Sequence, residues 1–121
     1  MVAAMRHRSG FAAVLFLLPA PVLCQSDDLT GQEVYKGCLN FVQQTNEELF
    51  YQGVCAGTID LLTNADLYSE QDSIICPPQG TSIGQAAKVV VDYMDAHSTI
   101  LHLPFRHIAI DALYAAWPCQ D

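Results

Sequence analysis

Apolar residues recur at intervals of three and four positions along most of the chain beyond residue 30, as on one face of an α-helix. This pattern predicts helices over about Gly31 to Gln44, Glu47 to Asn64, Ile83 to His97, and Pro104 to a stop at Pro118. No strand-like alternation and no internal repeat accompanies them. The predicted fold class is therefore all-α, a small bundle of about four helices with short connections.

Two of these helices have clear start signals. Thr30 with Glu33, and Ser82 with Gln85, form capping boxes, in which the hydroxyl and the longer side chain each accept from the other residue's backbone N–H. Pro104 suits the first position of the last helix, because its fixed φ is helical and its missing N–H would have no partner there.

The second predicted helix is apolar on two neighbouring stripes, which predicts that it lies at the centre of the bundle. Glu47 and Glu48 fit its first turn, where the helix dipole favours negative charge. Gly53 and Gly57 lie one turn apart within it. Each glycine costs about 1 kcal/mol relative to alanine in a helix, so we expect close approach of another helix to compensate.

The first 24 residues have the features of a secretory signal peptide. Arg6, His7 and Arg8 precede an apolar run of 14 residues from Phe11 to Cys24, which two prolines interrupt. That run is shorter than the roughly 20 residues that span a membrane. We predict a signal peptide over 1–24 and a mature domain over 25–121 that leaves the membrane after cleavage. The alternative, lipidation of Cys24, is disfavoured because Leu23 occupies a position that requires a small residue.

The charge is strongly acidic. The whole chain carries 5 Lys and Arg against 13 Asp and Glu, for a formal charge of −8. Only three cations, Lys36, Lys88 and Arg106, lie beyond residue 24, against all 13 acids, so the mature charge is −10. Nucleic acid and anionic membranes require clustered positive charge, so the charge speaks against both as partners. A basic protein is compatible with this charge.

The mature chain contains four cysteines, an even number that predicts two disulfides in an exported domain of this size. We favour Cys38–Cys119, which would tie the two ends of the domain together, and Cys55–Cys76, which a folded-back loop would bring together. The main alternative pairs Cys38 with Cys55 and Cys76 with Cys119. A zinc site is disfavoured because no pair has the short spacing of zinc ligands.

Residues that could support catalysis or bind a metal do not form a recognisable set. His97, His102 and His107 are spaced by five residues, so on one helix each would point about 140° away from the previous one. Asp92 and Asp95 are one turn apart, but paired carboxylates on an exposed face are usually only solvated. No nucleophile, phosphate-binding or zinc-hydrolase motif is present. We therefore predict no enzyme activity, metal or cofactor.

Three segments together carry a resemblance to a known family. The first segment contains CAGTID from Cys55. The second contains ICPPQG, SIGQ and VVVDYM between Ile75 and Met94. The third contains HLPF and WPC between His102 and Cys119. In their order, spacing and cysteine placement they resemble the Rap/Tai family of bacterial immunity proteins over about residues 31–119.

This resemblance implies a function. Rap/Tai proteins are small, helical, periplasmic and often dimeric, and they bind and block type VI secretion amidase effectors that cleave peptidoglycan peptides. The expected partner is thus a peptidoglycan amidase effector, with a homodimer as a further expectation. Thr58 and Phe105 depart from the family pattern, which has a bulkier residue at the first position and a small one at the second.

The segment between the second and third helices, about 65–80, lacks sustained periodicity and is predicted to be a loop. Its acidic and aromatic residues are candidate partner contacts, because such a loop offers charge and one aromatic anchor: Asp66, Tyr68, Glu70 and Asp72. The alternative is a solvated connector. For the whole protein, the alternative function is a small periplasmic binding or stress-chaperone protein without a toxin partner.

Overall fold

The computed structural model describes residue 10 and residues 13–19, 27–64 and 73–120. Within these ranges the chain forms four α-helices and no extended strand, which confirms the all-α class. The helices are α1 (Gly31–Gln43), α2 (Leu49–Thr63), α3 (Ile83–Ala96) and α4 (Phe105–Ala116). A short 3-10 turn, Ser98–Ile100, connects α3 to α4.

Both predicted capping boxes are present. The Thr30 hydroxyl accepts from Glu33 N at 3.4 Å, and the Glu33 carboxylate accepts from Thr30 N at 2.8 Å. Ser82 and Gln85 make the same reciprocal pair at the start of α3, at 3.1 and 2.8 Å. The bonds from Thr30 lower the pKa of Glu33, because they favour its charged form. Local sequence thus determines where α1 and α3 begin.

The start of α2 differs from its prediction. Glu47 and Glu48 precede the helix, and Glu48 is its N-cap with φ at 55°, a left-handed conformation without a side-chain cap. Gln44, which ends α1, is also left-handed, at φ 57°. The Gln52 amide donates to the carbonyls of Thr45 and Glu47 at 2.8 and 2.6 Å. This side chain stabilises the reversal between the two helices without help from glycine.

The core is built mainly by α3 and α4. Each buries five residues. Helix α1 buries Gly31, Val34, Gly37 and Cys38, whereas α2 buries only Cys55 and Ile59. The largest fully buried side chains come from all four helices: Phe105, Ile59, Met94, Ile108, Leu113, Val34, Val90, Cys38 and Cys55. The prediction that α2 is the central element is therefore wrong, because α2 buries only two residues and one of its sides faces solvent.

The glycine prediction is also wrong in its location. A Cβ built on Gly53 or Gly57 would meet nothing within 4 Å. The close approach occurs instead at Gly37 of α1, where a Cβ would overlap the backbone and Cβ of Tyr51. Helices α1 and α2 cross tightly at that point, and only glycine leaves room for the crossing.

The disulfides follow the alternative pairing, so the favoured one is wrong. Cys38 bonds to Cys55 with a Cα–Cα distance of 5.3 Å, and Cys76 bonds to Cys119 with 4.9 Å. The physical reason for the first bond is the tight α1–α2 crossing, which brings both inward-facing cysteines together. The two disulfides therefore link segments that are adjacent in the fold, not the two ends of the domain.

The second disulfide closes a pairing of backbone segments. Cys76 N donates to the Trp117 carbonyl at 2.8 Å, and Cys119 N donates to the Ile74 carbonyl at 3.1 Å. Ile75 between them is buried and forms an isolated β-bridge with Pro118. The described part of the predicted loop, residues 73–80, thus lies against the end of the chain.

The apolar side chains of residues 14–18 take no part in this core. They are 73–89% exposed, and residues 13–19 adopt no helix. Among the described helices, none has both the length and the apolar character that crossing a membrane requires.

Candidate partner-binding surface

The loop residues predicted to contact a partner, Asp66, Tyr68, Glu70 and Asp72, lie outside the described residues. The structure does describe both ends of their segment. On one side, α2 closes with the Asn64 amide donating to the Asp60 carboxylate at 2.5 Å. On the other, the Cys76–Cys119 disulfide fixes the chain. The segment therefore joins two anchored points at one end of α2.

The side of α2 that faces away from the core is apolar. Leu49, Phe50 and Leu61 are 65%, 69% and 61% exposed. Gly53 and Gly57, also exposed, lie between these bulky residues. We call these five residues the α2 outer face. The sequence pattern placed Phe50 and Leu61 on an apolar stripe of a central helix, because the exposed side of a soluble helix normally carries charge and these positions do not.

Few of the acidic side chains have a cationic partner in the described part of the chain. The salt bridges there are Lys88–Asp92 at 2.9 Å and Arg106–Asp28 at 3.1 Å. All four side chains are more than a third exposed, so each pair contributes little stability. Glu47, Glu48 and Asp60 at the two ends of α2 make no salt bridge with a described residue. The two ends of α2 consequently carry negative charge that no described cation neutralises.

Two of the three histidines considered above, His97 and His102, make side-chain contacts near helix ends. The His97 ring stacks on Tyr93 with centroids 4.0 Å apart, and its Nδ1 lies 2.8 Å from the Tyr93 carbonyl. His102 Nδ1 lies 3.1 Å from the Thr99 carbonyl, and His107 is exposed on α4. In the portion of the chain that the structure describes, no three potential metal ligands cluster.

The two aspartates one turn apart on α3 have separate partners. Asp92 pairs with Lys88, whereas Asp95 accepts a hydrogen bond of 2.6 Å from the Tyr35 hydroxyl of α1. This bond raises the pKa of Tyr35, because it favours the protonated phenol beside a carboxylate. Asp95 therefore links α3 to α1, whereas Asp92 pairs within α3, and the two carboxylates do not form an acid–base dyad.

The two departures from the family pattern lie together in space. Thr58 and Phe105 line the same surface depression, next to Leu29 and Arg106. Phe105 is only 2% exposed and its backbone N–H donates to the Leu29 carbonyl at 2.7 Å. The two positions therefore border one depression between α2 and the start of α4.

Comparison with known proteins agrees with the resemblance to immunity proteins seen in the sequence. A family model described as Rap1a immunity proteins matches residues 20–119, which is most of the chain. No curated protein and no solved structure gives a significant match. The family match covers all four helices and all four bonded cysteines. The chain therefore belongs to the Rap1a family of immunity proteins.

Proposed function

We propose that this chain is a periplasmic immunity protein that binds and occludes a peptidoglycan amidase effector of a type VI secretion system. The observation that carries the proposal is the match to the Rap1a immunity family over residues 20–119. An immunity protein has a toxin or effector as its partner. The amidase class comes from the resemblance to Rap/Tai proteins in the cysteine-centred segments.

Three observations support action in the periplasm. The two disulfides are typical of an oxidising compartment. The sequence of residues 1–24 predicts a signal peptide, and the exposed apolar side chains of residues 14–18 do not pack into the core. Removal of residues 14–18 would therefore take no side chain out of the described core.

Occlusion is the proposed mode of action. Family membership implies a non-catalytic inhibitor. The resemblance to Rap/Tai proteins supports the proposal that it covers the active site of its target. The negative charge at the two ends of α2 would speed the encounter with a basic effector through electrostatic steering. We also propose the acidic segment with Asp66, Tyr68, Glu70 and Asp72 as part of the contact surface, supported by its anchoring at both ends.

The test uses the amidase encoded nearest to this gene. Purified residues 25–121 should bind that amidase in calorimetry and inhibit its hydrolysis of peptidoglycan. Co-expression should protect cells from amidase targeted to the periplasm. Absence of both binding and protection would contradict the proposal, and protection of acid-stressed client proteins instead would favour the chaperone alternative.

A second experiment concerns the acidic segment. Tyr68→Ala should weaken binding by about 1 kcal/mol or more if this aromatic side chain is an anchor. Reversing the charges of Glu70 and Asp72 should slow association and reduce its salt dependence. If neither Tyr68→Ala nor the charge reversals of Glu70 and Asp72 change binding, the contact lies elsewhere and the proposed function still stands.

A further inference from the structure

The α2 outer face carries an inference that rests on the proposed function and specifies the surface that performs it. We propose that this face is a docking surface for the effector protein, and that the docked surface presents an apolar segment flanked by basic side chains.

The α2 outer face has bulky apolar residues at its two ends and a gap at the glycines between them. At 100° per residue, the five positions Leu49, Phe50, Gly53, Gly57 and Leu61 fall within about 120° of the helix circumference. Phe50 and Leu61 lie about 17 Å apart along the axis, at 1.5 Å per residue. The two glycines between them have no side chains. A partner's helix or loop can therefore approach the α2 backbone between two apolar ends.

Nothing within the described chain accounts for this arrangement. The ideal Cβ positions of Gly53 and Gly57 have open space around them, yet each glycine costs a helix about 1 kcal/mol relative to alanine. Leu49, Phe50 and Leu61 leave most of their surface in water. Several large apolar residues exposed on one face are typical of a protein-binding surface. A docked partner would account for the exposed apolar residues and the glycines together.

Charge selects the occupant. Glu47 and Glu48 border the face at its N-terminal end, Asp60 lies at its C-terminal end, and none has a salt bridge among described residues. A second copy docked through the same face would bring these acids beside each other. In an antiparallel arrangement Glu47 and Glu48 would approach the partner copy's Asp60, and in a parallel one identical acids would meet. Like charges disfavour both arrangements, whereas a basic protein partner is complementary.

The test adds a side chain at the gap between the two apolar ends of the α2 outer face. Gly57→Gln introduces no charge, and glutamine forms helices better than glycine, so thermal stability should stay equal or increase. Binding to the amidase encoded nearest to the gene should weaken at least about tenfold, as expected when the centre of an interface is obstructed. Ala115→Gln, which places the same side chain at an exposed position of α4, is the matched control and should bind like the wild type.

A second variant tests the charge argument. Glu47→Gln combined with Glu48→Gln should slow association several-fold at low salt and reduce its salt dependence, with a smaller change in dissociation. Asp111→Asn, an exposed charge on α4, is its control. The rates are measured by surface plasmon resonance at three salt concentrations.

The outcomes separate this inference from the function on which it rests. If the wild-type chain does not bind the amidase, the proposed function fails and the inference fails with it. If the wild type binds and Gly57→Gln binds equally well, the docking surface is wrong and the function stands. If sedimentation velocity shows a wild-type dimer that Gly57→Gln converts to monomer, the occupant is a second copy, and our choice of partner is overturned.

Discussion

Helices α2 and α3 have similar lengths, 15 and 14 residues, and both are largely apolar, yet they relate to the core in opposite ways. Helix α3 buries five residues, including Val90 and Met94 with no exposed surface. Helix α2 buries two and leaves Phe50 69% exposed. Apolar content by itself therefore does not determine how much of a helix is buried.

The difference lies in how the apolar residues are distributed around each helix. In α3 they occupy one side, while Lys88, Asp92 and Asp95 occupy positions in contact with water. In α2 they extend around most of the circumference, with Asp60 as its single charged residue. A helix with apolar residues all round is normally enclosed. Here the rest of the described chain covers only one side, so the other is available to a partner.

The largest expected effect comes from comparing the two sides of α2. Ile59→Ala should lower the free energy of unfolding by about 2–5 kcal/mol, because it empties a fully buried site. Leu61→Ala, two residues away and 61% exposed, should change it by at most about 0.5 kcal/mol. Urea denaturation of both variants measures the contrast, and equal losses would mean that the outer face is covered in solution.

The bond that attaches α2 to α1 gives the next effect. Replacing both Cys38 and Cys55 by alanine should cost about 3 kcal/mol, the chain-entropy value for their separation of 17 residues. Because α2 has few buried side chains, it should lose protection from amide hydrogen exchange more than α3 does. Equal loss of protection in both helices would show that α2 is held by packing and not by the disulfide.

Glycines at a crossing and in open space should respond with opposite signs. Gly37→Ala should destabilise the domain by about 1–3 kcal/mol, because the added methyl overlaps Tyr51. Gly53→Ala, with open space at its Cβ, should stabilise it by up to about 1 kcal/mol. Thermal unfolding distinguishes the two. Destabilisation by Gly53→Ala would indicate that another chain packs there.

The smallest effect concerns the link from α1 to α3. Tyr35→Phe removes the hydrogen bond to Asp95 and should cost about 0.5 kcal/mol, since the pair is exposed. The fold raises the pKa of Tyr35, so its contribution is complete below the unfolded pKa of about 10 and disappears as pH rises through the folded pKa. Denaturation at several pH values should show the wild type and the variant converging in alkali. A constant difference would contradict this contribution.

Local sequence determined much of this protein. The reciprocal bonds of Thr30 with Glu33 and of Ser82 with Gln85 involve residues three positions apart, so the starts of α1 and α3 were predictable. The one-sided pattern of α3 and the prolines around α4 similarly predicted those helices. The disulfide-bearing segments also sufficed to predict the family, because their order along the chain is itself a feature of sequence.

Tertiary structure decided what depends on how the helices cross. Sequence offered both cysteine pairings, and the contact of Gly37 with Tyr51 brings Cys38 to Cys55. Sequence also made every apolar residue of α2 a candidate for burial. Which ones are buried depends on the rotation of α2 against α1, α3 and α4, and that rotation is set by contacts between distant residues. It turns Ile59 inward and leaves Phe50 and Leu61 in solvent.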